Sequence, residues 1–145
     1  MELRAAWGTN VLKMTDDEVS KAKQVLADHG MHVSCLGSPV GKSPLADPIE
    51  NEINNLSRLF QIGDAFGTKN IRIFSFYPSD TSTNAHYDQH VDEAVDRLNE
   101  MGRHAEKSGF YLMLENEKEI VGDTVARMEK ILAGVESSSV QFAWD

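Results

Sequence analysis

The sequence predicts an α/β fold of parallel strands joined by helical crossovers, and two observations carry that expectation. Apolar residues alternate along the chain between a strand-like period and a helical one. The helical stretches are also bounded by capping residues at their starts and glycines at their ends.

Taken in order, a strand is predicted over Glu2 to Trp7. Thr15-Asp16-Asp17-Glu18 then reads as a capping box, in which the Thr15 hydroxyl and the Glu18 carboxylate satisfy amides that a helix start leaves unpaired. Val19, Ala22, Val25 and Leu26 form the apolar stripe of that helix, which stops at Gly30. A second strand runs from His32 to Leu36. Asp47-Pro48-Ile49-Glu50 opens the second helix with proline at its first helical position, and Ile53, Leu56, Phe60 and Gly63 make its buried stripe as far as Gly67. Ile71 to Tyr77 is the third strand. Val91, Ala94, Val95 and Leu98 mark a third helix ending at Gly109, followed by the strand Phe110 to Glu115. Val125, Met128, Ile131 and Leu132 mark the last helix, closed by Gly134 before a strand over Val140 to Trp144.

Parallel strands with helical crossovers leave two architectures. An open, five-stranded doubly wound sheet suits 145 residues, whereas a closed barrel of eight βα units takes about 250. The ends favour a part of the barrel. The chain starts inside a strand and stops at Asp145 with no helix to cover the last strand, so it reads as a piece of something longer, with edge strands that would drive self-association into a homo-oligomer.

Composition limits the function classes. With 41% hydrophobic and 26% charged residues, residues 1–145 are expected to form a single globular domain. A net charge of -9, from 23 acidic against 14 basic residues scattered singly, argues against a nucleic-acid partner. The single cysteine, Cys35, allows no intramolecular disulfide, and no basic leader or run of about 18 apolar residues is present, so the expectation is a cytoplasmic protein with no membrane partner.

The strand-end carboxylates are the chemistry-bearing feature. In parallel α/β folds the carboxyl ends of the strands share one rim, where active sites sit. Period two puts Tyr111, Met113 and Glu115 on one face and Gln141, Ala143 and Asp145 on the matching face of the last strand, while Leu112, Leu114, Phe142 and Trp144 turn to the helices. Glu115 and Asp145, converging with no evident basic partner, suit a divalent cation.

Other patterns imitate sites. Gly37 to Ser43 looks like a phosphate-binding loop, but it is one residue short, and Pro39 and Pro44 lack amide donors. His86 and His90, four apart, lack the glutamate of a zinc-protease signature and read as histidines at the start of an acidic helix. Cys35, in an apolar strand, reads as packed rather than nucleophilic.

Glu2-Leu3-Arg4, the run from Val33 to Lys42, Ile71 to Phe76, Leu114-Glu115-Asn116-Glu117-Lys118 and the terminal Ala143-Trp144-Asp145 together resemble the sugar phosphate isomerase/epimerase family. The resemblance covers the chain in order, and Leu-Glu-Asn-Glu-Lys is its most specific part. It implies a xylose-isomerase-like TIM barrel, a (β/α)8 fold, of which this chain holds about five parallel strands, the family's strands two to six, and four helices. It further implies that Glu115 and Asp145 are ligands of a catalytic divalent metal (Mn, Mg, Co or Zn), completed by a histidine and a glutamate from later strands.

The implied activity is metal-dependent isomerisation or epimerisation of a sugar or sugar phosphate through an enediolate, with Glu115 as catalytic carboxylate. Glu117 is then a candidate to bind a substrate hydroxyl, Lys42 an anionic substrate group, and Trp7 the face of a sugar. Arg72, inside a barrel, needs an acidic partner, and Glu2 is the candidate. The alternative is a noncatalytic α/β module that binds a small ligand or another protein.

Overall fold

The computed structural model describes residues 1–78 and 84–144. Among them a five-stranded parallel sheet is formed by β1 (Glu2–Leu3), β4 (Cys35–Gly37), β5 (Asn70–Ile73), β6 (Tyr111–Glu115) and β7 (Val140–Ala143), adjacent in that order. A separate two-stranded hairpin joins β2 (Ala5–Ala6) to β3 (Thr9–Asn10). The helices are α1 (Asp16–Asp28), α2 (Ile49–Phe66), α3 (Val91–Ser108) and α4 (Val125–Gly134).

The strand order settles the architecture. A doubly wound sheet reverses direction at a switch point, whereas here each successive strand is added to the same side. Burial agrees: Leu3, Leu36, Ile71, Ile73, Leu112, Leu114 and Val140 are buried against the helices. Their strand neighbours Glu2, Cys35, Arg72, Met113, Glu115 and Gln141 lie on the opposite face, which no helix of the described residues covers. The result is part of a TIM-barrel-like fold, and the doubly wound alternative is set aside. No helix among the described residues is long and apolar enough to cross a membrane.

Local chemistry explains most boundaries. Thr15 Oγ1 accepts from Glu18 N at 3.2 Å and Glu18 Oε2 accepts from Thr15 N at 2.9 Å, which is the predicted capping box. The Thr15 amide also holds the Glu18 carboxyl below its ordinary range. Gly67 and Gly109 end α2 and α3 in the left-handed conformation.

Three expectations need correction. Pro48 occupies the N-cap of α2 rather than its first helical position, with no side-chain cap. Gly134 lies inside α4, where an added Cβ would come 2.9 Å from Val95 Cγ1, so it serves the contact between α3 and α4. The strand predicted from Glu2 to Trp7 ends at Leu3, because Trp7 and Gly8 have φ values of 50° and 80°. Positive φ at both central residues is what a tight two-residue hairpin loop demands.

The segment after β4 is held by a buried acid. Glu52 is 4% exposed, and its Oε1 accepts from Gly41 N at 3.2 Å and Ser43 Oγ at 2.6 Å, while Oε2 accepts from Asn55 Nδ2 at 3.1 Å. Strand-like pairing continues beyond β5 onto this segment, with Phe74 N donating to Val40 O, Phe76 N to Gly41 O and Tyr77 N to Ser43 O. The chain between β4 and α2 is thus fixed from both sides, and Lys42 rides on it.

Candidate functional site

The inner face of the sheet carries a chain of charges. Arg72, on β5, places Nη1 2.9 Å from Glu2 Oε1 and 3.3 Å from Glu115 Oε2. The side chains of Arg72 and Glu115 are each 13% exposed. Register explains the meeting. Arg72 pairs with Met113, and Glu115 stands two residues further along the same face, a diagonal within reach of an arginine. Glu2 was the expected partner of Arg72; Glu115 is the second, so the expectation of a strand-end carboxylate without a basic neighbour is corrected.

These residues face a cavity of about 330 Å³ lined also by Cys35, Asn70, Met113, Ala143 and Trp144. Ala143 is the register partner of Glu115, and hence shares its face. Asp145, the other candidate metal ligand, lies outside the described residues. Phe142 packs edge-on to Trp144 with ring centroids 5.8 Å apart, and Trp144, expected to turn to the helices, is 74% exposed.

Two candidate substrate-binding residues are brought together. Lys42 Nζ lies 3.0 Å from Glu117 Oε2 and 4.2 Å from the centroid of the Phe74 ring, joining the segments that follow β4 and β6. That hydrogen bond, with a second from Lys118 N, holds the Glu117 carboxyl below its ordinary range. Trp7 is not drawn in: it sits on the hairpin turn, half exposed, with Lys21 Nζ 4.5 Å from its ring centroid, and it lines neither the Glu115 cavity nor the one beside Lys42.

The imitations resolve as expected. In the loop resembling a phosphate cradle, Gly41 N is bound by Glu52, Val40 N by Ser38 Oγ and Lys42 N by Pro39 O, so these amides are spent within the loop. His86 and His90 lie in a 3-10 segment, Asn84–His90, where residues four apart do not align as they do on an α-helix.

Cys35 is partly buried on the inner face, and its thiol is held in the protonated form. Burial, reinforced by the charge of Glu2, pushes it up to about 11. For an acid whose folded value lies above its ordinary value of 9.0, the neutral form is favoured by folding, so stability is unaffected below about pH 9 and declines as pH rises toward 11. Ellman's reagent is expected to label Cys35 slowly at pH 8 in the folded protein and rapidly after unfolding; equal rates would contradict the burial.

A divalent ion needs several hard donors in one place. Among the described residues no three His, Cys, Asp or Glu side chains gather in that way. On their own the described residues therefore do not complete a metal centre.

Sequential parallel strands with one helix-covered face and a charged opposite face define part of a barrel-type α/β fold. The family model described as xylose isomerase-like TIM barrel matches residues 1–145, and the chain belongs to that family. Similar solved structures include the probable 3-DHS dehydratase AsbF from Bacillus anthracis, with TM-score 0.72 and 19% identity over 90% of this chain and 46% of that one. A D-tagatose 3-epimerase-like protein has TM-score 0.73 and 15% identity over 95% and 53%. A xylose isomerase-like TIM barrel protein from Mycobacterium smegmatis, in complex with magnesium, has TM-score 0.65 and 19% identity over 91% and 47%. Identities this low carry the fold alone, and the chain spans about half the length of these structures. No curated protein matches the sequence.

Proposed function

We propose that the chain supplies the strand-end carboxylates of a divalent-metal-dependent isomerase or epimerase acting on a sugar or sugar phosphate, working within a closed barrel. The observation that carries this reading is the placement of Glu115 at the carboxyl end of β6, on the inner face, oriented by Arg72 at 3.3 Å. Membership of the xylose isomerase-like family, which includes epimerases, supports it. The magnesium of the Mycobacterium smegmatis structure supports the metal.

Glu115 and Asp145 would hold the ion, whose chemistry when bound is positive charge against the developing enediolate. The Glu115 carboxylate takes the proton from the carbon beside the substrate carbonyl, and the electron pair of that C–H bond becomes the carbon–carbon double bond as the carbonyl oxygen gains charge. Returning that proton to the neighbouring carbon, as the hydroxyl proton passes to the former carbonyl oxygen, isomerises the sugar; epimerisation needs a second acid to protonate the opposite face of the same carbon, and the glutamate of a later strand would supply it. Arg72 fixes the carboxylate, and Lys42 and Glu117 approach the substrate from the loops above.

The test is Mn²⁺ titration of the assembled protein, followed by electron paramagnetic resonance. Saturable binding that Glu115→Gln weakens at least tenfold is expected, with activity lost to a chelator and restored by the metal. Binding unchanged by Glu115→Gln would remove the carboxylate from the metal site and leave a noncatalytic binding module as the better reading.

A further inference from the structure

We infer that Arg4, Lys42 and Arg72 form an oxyanion subsite that takes the phosphoryl group of a sugar-phosphate substrate. The three side chains line a second small cavity at the rim, together with Asn10, Gly37, Ser38 and Phe74, and no acidic residue shares that lining. In a chain of net charge -9, with basic residues scattered singly along the sequence, three cations line one cavity, two of them balanced by glutamates that lie outside its lining.

Each cation has a different commitment. Arg72 gives Nη1 to Glu2 and Glu115, but its Nε is buried and has no hydrogen-bond partner among the described residues. Lys42 is paired with Glu117, and both side chains are about one-third exposed, a setting in which an ion pair is readily exchanged for a ligand. Arg4 makes no ion pair among the described residues and leaves its positive charge uncompensated beside the cavity. Asn10 turns its Oδ1 to Leu12 N, so its amide NH₂ is the end left for an acceptor.

The cavity has the right size and place. At about 60 Å³ it has room for a phosphoryl group. Gly37 contributes by omission, since a Cβ there would fall 2.5 Å from Glu2 Oε1 and 3.2 Å from Arg4 Cβ. Arg72 lines both this cavity and the one that holds Glu115, so a phosphoryl group held here leaves the sugar carbons to reach the carboxylate. Charge-assisted hydrogen bonds from two guanidiniums and an ammonium suit a phosphate dianion better than a neutral hydroxyl. The identity of the sugar rests on the isomerase reading; the anion rests on the cations alone.

The test is titration of inorganic phosphate into the full chain at low ionic strength, followed by ³¹P NMR line width. Wild type is expected to bind in the millimolar range. Arg4→Ala and Lys42→Ala should each weaken binding at least fivefold, Arg4→Lys should recover part of the loss, and Lys107→Ala, at the end of α3, should change nothing. Circular dichroism confirms that the variants are folded. Absence of binding in wild type, or equal binding in all variants, would overturn the subsite. Acetate competing as well as phosphate would reassign it to carboxylates and overturn the phosphoryl claim. Phosphate binding without isomerase activity keeps the subsite and removes the enzyme reading, whereas turnover of neutral sugars without phosphate binding does the reverse.

Discussion

Glu115→Gln is expected to lower kcat of the assembled protein by about 10²–10⁴-fold, the usual consequence of removing a positioned proton-transfer group. The substitution keeps the side chain's size and changes its chemistry. Glutamine cannot take a proton from carbon at neutral pH, yet Arg72 keeps its 2.9 Å pairing with Glu2 and so is not left as an uncompensated buried charge. Folding should therefore survive, and thermal unfolding should shift by no more than a few degrees. Glu117→Gln is the useful contrast. Its carboxylate faces Lys42 rather than Arg72, so its loss should appear mainly in KM. Normal turnover by Glu115→Gln, in a folded protein, would end the proposed mechanism.

Gly41→Ala is the second large effect, and it falls on stability. Gly41 has φ of 80°, and a Cβ there would lie 2.0 Å from Phe74 O and 2.6 Å from Phe74 C. Neither partner can yield cheaply. Phe74 N is bonded to Val40 O at 2.9 Å, Phe76 N to Gly41 O at 2.8 Å, and Gly41 N to the buried Glu52 carboxylate. Left-handed strain and a backbone overlap together should cost at least about 3 kcal/mol. At this chain length that is a fall in melting temperature of roughly 6–12 °C. Gly8→Ala separates the two causes: Gly8 also has φ of 80°, but an added Cβ meets nothing within 4 Å, so only the strain is incurred. A Gly41→Ala melting temperature within 2 °C of wild type would mean that the loop after β4 is not held against β5 as described.

The sequence made some of this legible because the relevant forces are local. The capping box at Thr15 and Glu18 spans one helical turn, and the split of β6 into Leu112 and Leu114 on one side and Met113 and Glu115 on the other follows from strand period alone. Strand order was not legible. Nothing in the chain of apolar runs distinguishes a singly wound sheet from a doubly wound one; the chain ends and the family resemblance favoured the barrel, and the strand order then excluded the doubly wound alternative. The first strand was overread for a related reason: Ala5 and Ala6 do pair, but with β3 across a tight turn at Trp7 and Gly8.

The candidate site was legible as residues and not as contacts. Glu115, Lys42 and Glu117 were visible as strand-end and loop side chains, but the ion pair between Lys42 and Glu117 spans 75 positions of sequence. The meeting of Arg72 with Glu115 depends on the register of β5 against β6; period two gave the shared face, and only the pairing of Arg72 with Met113 supplied the distance. Glu52 was missed altogether. On α2 it reads as one more acid of a solvated face, and its burial is caused by a loop that folds back over it to donate twice to Oε1 while Asn55 of the same helix holds Oε2.

The central claim, that Glu115 moves a proton on a sugar at the strand ends of a barrel, is tested most directly by solvent exchange. The assembled protein is incubated in D₂O with its divalent metal and a panel of ketopentoses, ketohexoses and their phosphates, and the sugars are read by NMR. The account predicts deuterium on the carbon beside the carbonyl of at least one sugar, in wild type and not in Glu115→Gln. Labelling that persists in Glu115→Gln would contradict the account, as would epimerisation of a sugar with its original hydrogen retained at the inverted carbon.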